Sequence, residues 1–163
     1  MAWAKNGTPL TLGSALDDMD ITDLSGNKFN QILIHTIDNG SAIAERITCN
    51  NDGGSLYAER QQVDGVADST SLSRANMSRF NLLTTSNTFI VMNSVWISGE
   101  EKLFLCNIVH EKVTGAGTAP SRTEFVAKYV PSPLTNTFDR IDVHNDSAGS
   151  YDTSSNISAL GTD

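Results

Sequence analysis

The sequence predicts an all-β fold: an antiparallel β-sandwich of jelly-roll type, built from about eight to ten short strands. Three observations predict it. Apolar and polar residues alternate over many short segments, the period-2 signature of strands packed on one face. No window carries three helical turns of apolar periodicity. Ser (18), Thr (16) and Asn (14) supply 48 of the 163 residues, and these side chains compete with the helix backbone for its hydrogen bonds.

The elements follow in order. Thr8–Leu12 alternates, with Leu10 and Leu12 on one face, and Met19–Leu24 is short and acidic. Phe29–Ile37 (FNQILIHTI) is the strongest early strand, with Leu33, His35 and Ile37 on one side and Ile32, Ile34 and Thr36 on the other. Ile43–Cys49 places Ile43, Glu45, Ile47 and Cys49 on one face. The intervening Asp38-Asn39-Gly40-Ser41 reads as a hairpin, because Asn-Gly favours the tight turns that join antiparallel strands. Residues 50–55 form a loop, Leu56–Val63 a strand or a single helical turn, and Asp64–Ser71 a polar connection.

Met77–Leu83 resumes as a strand. Asn87–Ile97 is apolar on both faces, with Phe89, Val91, Val95 and Ile97 opposite Ile90, Met92 and Trp96. That pattern marks a central or interface strand. Ser98–Glu101 turns the chain into Lys102–His110, completing the clearest hairpin. A glycine-containing loop (114–120) precedes Arg122–Val130; Thr137–Val143 and Asn156–Leu160 are the last strands. The organisation is one sandwich domain over 1–163, with an extended N-terminal segment at about 1–27.

Charge excludes several functions. Formal net charge is −8, so a basic nucleic-acid face is not expected. No apolar run approaches the roughly 18 residues of a membrane-spanning helix, and residues 1–7 lack an apolar signal core. Residues 1–27 carry −3 and residues 129–163 carry −4, leaving −1 for the middle. The acidic ends are expected to lie side by side. Cys49 and Cys106 sit in apolar-alternating segments and read as two buried thiols, with a bridge left open.

Catalytic patterns are missing. His35, His110 and His144 are far apart and have no ligand-spaced neighbours. The sequence lacks a nucleophile elbow, a phosphate loop and a dinucleotide-binding glycine pattern. Asp18 and Asp20 have the spacing of paired glycosidase carboxylates on one strand, and Glu100-Glu101 lies in a turn; both read as solvated acidic surface. The chain is therefore expected not to be an enzyme. No cofactor is expected, with calcium the one candidate: Asp142, Asp146 and Asp152, or Asp17, Asp18, Asp20 and Asp23, could converge in loops. Trp3, with Leu10 and Leu12, reads as a subunit contact, because a tryptophan near the N-terminus is costly to leave in water.

Several runs resemble a known group of proteins: Met1-Ala2-Trp3 with Thr8–Leu12, Asn50–Ala58, Ser98–Leu103, Gly115–Arg122, and Asn145–Tyr151 through to Leu160–Asp163. Together they resemble small β-rich structural proteins of tailed viruses (bacteriophages), of the kind common in environmental and marine sequences. The resemblance spans nearly the whole chain and rests on turns and strands. It implies a virion component: a capsid decoration, head-fibre or tail-associated protein. Such a protein would be assembled in the host cytoplasm as a homo-oligomer such as a trimer, with other virion proteins as partners. The rival reading is a carbohydrate-binding β-sandwich module that contacts host-surface glycans through its loops. Neither reading calls for nucleic acid or a membrane.

Overall fold

Alternation of inward and outward side chains runs through almost every extended segment of the chain. A computed structural model describes residues 2–82 and 87–163, with side chains for all of these except 78–82. Among the described residues it contains strands and no helix: β1 (Ala4–Thr11), β2 (Asp18–Ile21), β3 (Phe29–Ile37), β4 (Ile43–Cys49), β5 (Tyr57–Val63), β6 (Ser69–Arg74), β7 (Met77–Leu82), β8 (Asn87–Val95), β9 (Lys102–His110), β10 (Ser121–Tyr129), β11 (Ile141–Asn145) and β12 (Asn156–Thr162). Leu83, expected to end the seventh strand, lies outside the described residues.

The strands form an eight-stranded sheet, β1-β12-β3-β8-β9-β10-β5-β6, and a four-stranded sheet, β2-β11-β4-β7, each antiparallel throughout. Within them sits a jelly roll. Strands β1-β12-β3-β8 and β2-β11-β4-β7 are two four-stranded layers that exchange successive strands, the double Greek key of that architecture. Two hairpins are inserted into it. β5–β6 lies between β4 and β7, and β9–β10 lies between β8 and β11. They pair with each other through β5 and β10, from Tyr57↔Tyr129 to Val63↔Thr123, and extend the larger sheet beyond β8.

The acidic ends do lie together. β1 pairs with β12, and β2 pairs with β11, bringing Asp20 opposite Asp142. Residues 4–21 thus supply strands to both layers. Gly7 permits this. Its φ is +73°, and a Cβ there would stand 2.7 Å from the carbonyl oxygen of Thr22. The irregularity in β1 at this point lets Thr8 bridge to Thr22 just beyond β2, while the rest of β1 stays on β12.

Three expectations are corrected, and one open alternative is settled. Asn39-Gly40 does not close a hairpin: β3 pairs with β12 and β8, whereas β4 pairs with β11 and β7. Only Gly40 of the two has positive φ, so the turn lacks the paired left-handed residues of a hairpin turn and carries the chain between layers. The polar stretch 64–71 contains the start of β6, an exposed edge strand held by pairing with β5. Residues 56–63 are strand rather than helical turn, since both neighbours of β5 fix its backbone hydrogen bonds. The strand expected at 137–143 starts at Ile141. Residues before it form an irregular segment that sets Phe138 against Trp96 and Phe104.

The core lies between the layers. Ile32, Ile34, Ile90, Met92, Phe125 and Ile157 face Met19, Ile21, Ile43, Ile47, Ile141 and Val143, all almost completely buried. Tyr57 and Tyr129 stack at 4.9 Å. Cys49 and Cys106 are free and buried, and burial pushes both thiols well up.

Lys102 closes one end of this core. It is 2% exposed, and its ammonium donates to the carbonyls of Ile97 (2.6 Å), Glu100 (2.7 Å) and Leu134 (3.1 Å). Burial pulls its pKa down. One side chain thereby fastens the β8–β9 turn to the segment carrying Phe138. Lys102→Met keeps the stem but strands three carbonyls, and is expected to cost about 1–2 kcal/mol. The urea unfolding midpoint reads this directly; an unchanged midpoint would show that the three bonds contribute nothing net.

Candidate assembly face

Period-2 alternation gives each layer an outward face, and the two outward faces differ in chemistry. On the smaller sheet, Met19, Ile21, Ile141 and Val143 point inward, so Asp18, Asp20, Asp142 and His144 point outward. There they form an ion network. Arg140 bridges Asp142 and Asp20, the latter at 2.6 Å. His144 Nδ1 lies 2.6 Å from Asp18, and Arg46 pairs with Asp146. Asp142 is fully buried within this network, accepting from the Asn51 amide at 2.6 Å. Burial, then the charge of Asp142, raises the pKa of Asp20, while Arg140 opposes both.

The larger sheet is different. Outward positions on β3 are Phe29, Gln31, Leu33, His35 and Ile37. On β8 they are Asn87, Phe89, Val91, Asn93 and Val95, and on β9 Leu103, Leu105, Asn107 and Val109. Register lines them up across the strands: Phe29↔Val95↔Leu103, Gln31↔Asn93↔Leu105, Leu33↔Val91↔Asn107 and His35↔Phe89↔Val109. These three strands present no Asp, Glu, Lys or Arg outward. Leu103, Leu105 and Val109 are each about half exposed, and Phe89 is 44% exposed. Charges resume on β10 and β5, with Arg122, Glu124, Lys128 and Arg60, and beyond β12 with Lys5 on β1. There a shallow, mostly apolar trough of about 490 Å³ runs between Leu72, Leu103, Val126 and Lys128.

The residues singled out from sequence fall unevenly on this frame. Trp3 lies just before β1 and is 52% exposed, at the end of the sheet where Thr162 pairs with Phe29. Leu10 is partly buried against the core and Leu12 is 3% exposed inside it. Of the three, Trp3 is the one left largely exposed. The apolar patch that alternation alone left unassigned is the outward face of β9, since Leu103, Leu105 and Val109 read equally well as core.

The histidines are kept apart. His35 stands on the apolar face and His144 in the ion network, while His110, at the end of β9, has its pKa lowered first by burial. The loop carboxylates are engaged singly. Asp17 accepts from Ser150, Asp23 from Thr8, and Asp152 from the amide of Thr153. Glu101 pairs with Lys128 at 2.9 Å. Among the described residues, no three metal-ligating side chains come together; Asp20 and Asp142, one from each group considered for calcium, face each other with Arg140 between them. Tyr57, Tyr129 and Tyr151 are all buried.

Comparison with known proteins finds no matching family model and no matching curated protein. Solved structures give weak likenesses. Eiger TNF from S. frugiperda is 9% identical, covering 98% of this chain and 90% of that one, with a TM-score of 0.25. The infectious bursal disease virus VP2 subviral particle is 13% identical, covering 98% and 38%, with a TM-score of 0.14. The T=1 particles derived from that virus are 13% identical, covering 98% and 36%, with a TM-score of 0.12. This chain spans little more than a third of those two capsid chains. The strand pairing described above, rather than these likenesses, carries the jelly-roll assignment.

Proposed function

We propose that this chain is a non-enzymatic structural protein of a virus particle, a capsid decoration, head-fibre or tail-associated component, that assembles with copies of itself. The observation that carries the self-assembly is the contrast between the two outward faces: one an ion network, the other a broad uncharged apolar surface. Monomeric proteins rarely leave contiguous apolar patches larger than a few hundred Å² in water. The resemblance to tailed-virus structural proteins supplies the particle. Loops of small polar residues and a rigid antiparallel sandwich suit a repeated building block, and closed symmetry would bury the apolar face in every copy.

The test is the mass of the purified chain in solution, by light scattering with and without a calcium chelator. A discrete multimer that survives chelation is the expected result; a monomer at every accessible concentration would reject self-assembly. Trp3→Ala is expected to weaken the multimer roughly tenfold, the loss of a large rim aromatic, with an unchanged melting temperature for the dissociated chain. An unaltered multimer would remove Trp3 from the contact.

A further inference from the structure

We propose that the outward face of β3, β8 and β9 is the surface through which two copies of this chain pack, sheet against sheet. The proposal rests on the self-assembly reading above and adds the surface and the partner.

Size comes first. With β12 and β10 at its margins, the face is five strands wide. At about 4.8 Å between strands and about 3.4 Å per residue along nine-residue strands, the three uncharged strands measure roughly 14 by 30 Å, or about 430 Å², and the margins on β12 and β10 bring the face to about 700 Å². A standard interface takes about 800 Å² from each partner. The match needs no movement of the chain.

Anatomy comes second. A stable interface has a core depleted of charge and a polar rim. The fourteen outward positions of β3, β8 and β9 contain no Asp, Glu, Lys or Arg. Leu33, Val91 and Leu105 stand in the middle of that area beside Gln31, Asn93 and Asn107, with Gln31 donating to Asn93 at 3.1 Å, while Phe89 and Val109 lie toward one end. Lys5 borders it on the β1 side, and Arg122, Glu124 and Lys128 border it on β10.

Charge identifies the partner. Each chain carries −8, so copies repel at most approaches. The outward face of the smaller sheet, with Asp18, Asp20, Asp142 and Asp146 against Arg46 and Arg140, would repel its own copy. The uncharged face does not. Packed through it, the acidic layers are separated by two sandwich thicknesses of about 10 Å each plus the new sheet-to-sheet gap. That exceeds the Debye length of about 8 Å at physiological salt. A strongly basic partner would gain nothing from this uncharged surface, whereas a second copy finds an apolar match there.

The experiment is sedimentation velocity on the purified chain over a concentration series, comparing wild type with Leu105→Arg and Leu16→Arg. Leu16 is equally exposed but stands in the β1–β2 connection, off the face. Leu105→Arg is expected to raise the dissociation constant about a hundredfold or more, the scale of a charge placed at an interface hot spot. Leu16→Arg is expected to leave it unchanged. An assembled wild type with equally assembled Leu105→Arg would overturn this surface while leaving self-assembly standing. A monomeric wild type would overturn both. Should Leu105→Arg fail to fold, as circular dichroism would show, hydroxyl-radical footprinting of the wild type needs no variant. Leu103, Leu105 and Val109 should be protected in the assembly and gain reactivity on dilution; reactivity independent of concentration would reject the surface.

Discussion

Glu45→Gln is expected to abolish a fall in stability that the wild type shows between about pH 4.5 and pH 7. Glu45 points inward from β4 and is fully buried, and among the described residues its hydrogen-bond partner is Thr36, at 3.3 Å. Its other carboxyl oxygen, the hydroxyl of Thr88 and the hydroxyl of Tyr151 have no hydrogen-bond partner among the described residues. Burial raises its pKa from 4.5 to about 7, opposed by the Thr36 bond. The sign follows from proton counting. Below pH 4.5 the carboxyl is neutral in both states and costs nothing. Between 4.5 and 7 the unfolded chain releases the proton and the folded chain keeps it, so stability drops as pH rises. Above 7 both are ionised, and the folded state carries the full penalty. Roughly 2.5 pH units at about 1.4 kcal/mol each give about 3 kcal/mol. Glutamine has the same shape and no charge, so it should be the more stable chain at pH 8 and equal at pH 4. Chemical denaturation of both proteins across that range checks it; parallel profiles would show that Glu45 is not held neutral by the fold.

Arg140→Met is expected to destabilise by about 2–4 kcal/mol at neutral pH. Asp20 and Asp142 face each other across the β2–β11 pairing, with one guanidinium between them. Removing it leaves Asp142 buried with only the Asn51 amide and a long bond from Thr48. Breaking a buried pair on one side costs about 3–5 kcal/mol. The range is lowered here because Arg140 is a third exposed and solvent screens its field. The loss should shrink as pH falls, since Asp20 without Arg140 takes up a proton more readily when folded. Asp142→Asn in the same chain should recover part of it, because the uncompensated charge is then gone. A single variant within about 0.5 kcal/mol of wild type, the range of ordinary surface changes, would show that the network is merely solvated.

Both effects arise from polar residues on strand faces, and only one of the two was readable in advance. Alternation puts Glu45 between Ile43 and Ile47 on an apolar face, which is already a sequence signal for a buried carboxyl. Nothing local marks Arg140. It lies in the irregular stretch before Ile141, where a strand was expected, and its partners come from β2 and β11. Leu12 shows the converse. Its spacing from Leu10 correctly reported a shared face, but whether that face met the core or another chain depended on β1 lying against β12 and β2.

What the sequence by itself determined was local: the strand periods of β3, β4, β8, β9 and β10, the turn at Ser98–Glu101, and a fold without helices. These follow from backbone propensity and from burial of one face, which neighbouring residues encode. The apolar second face of Asn87–Ile97 was visible in the same way. Tertiary structure decided which strands pair. Asn39-Gly40 turned out to join two layers, because turn chemistry bends a chain without choosing its partner. β6 is polar apart from the exposed Leu72 and is held by its hydrogen bonds to β5. The assembly face emerged at the same level. Each of its strands carries a few exposed apolar residues, and only the register of β3 on β8 and β8 on β9 joins them into one surface.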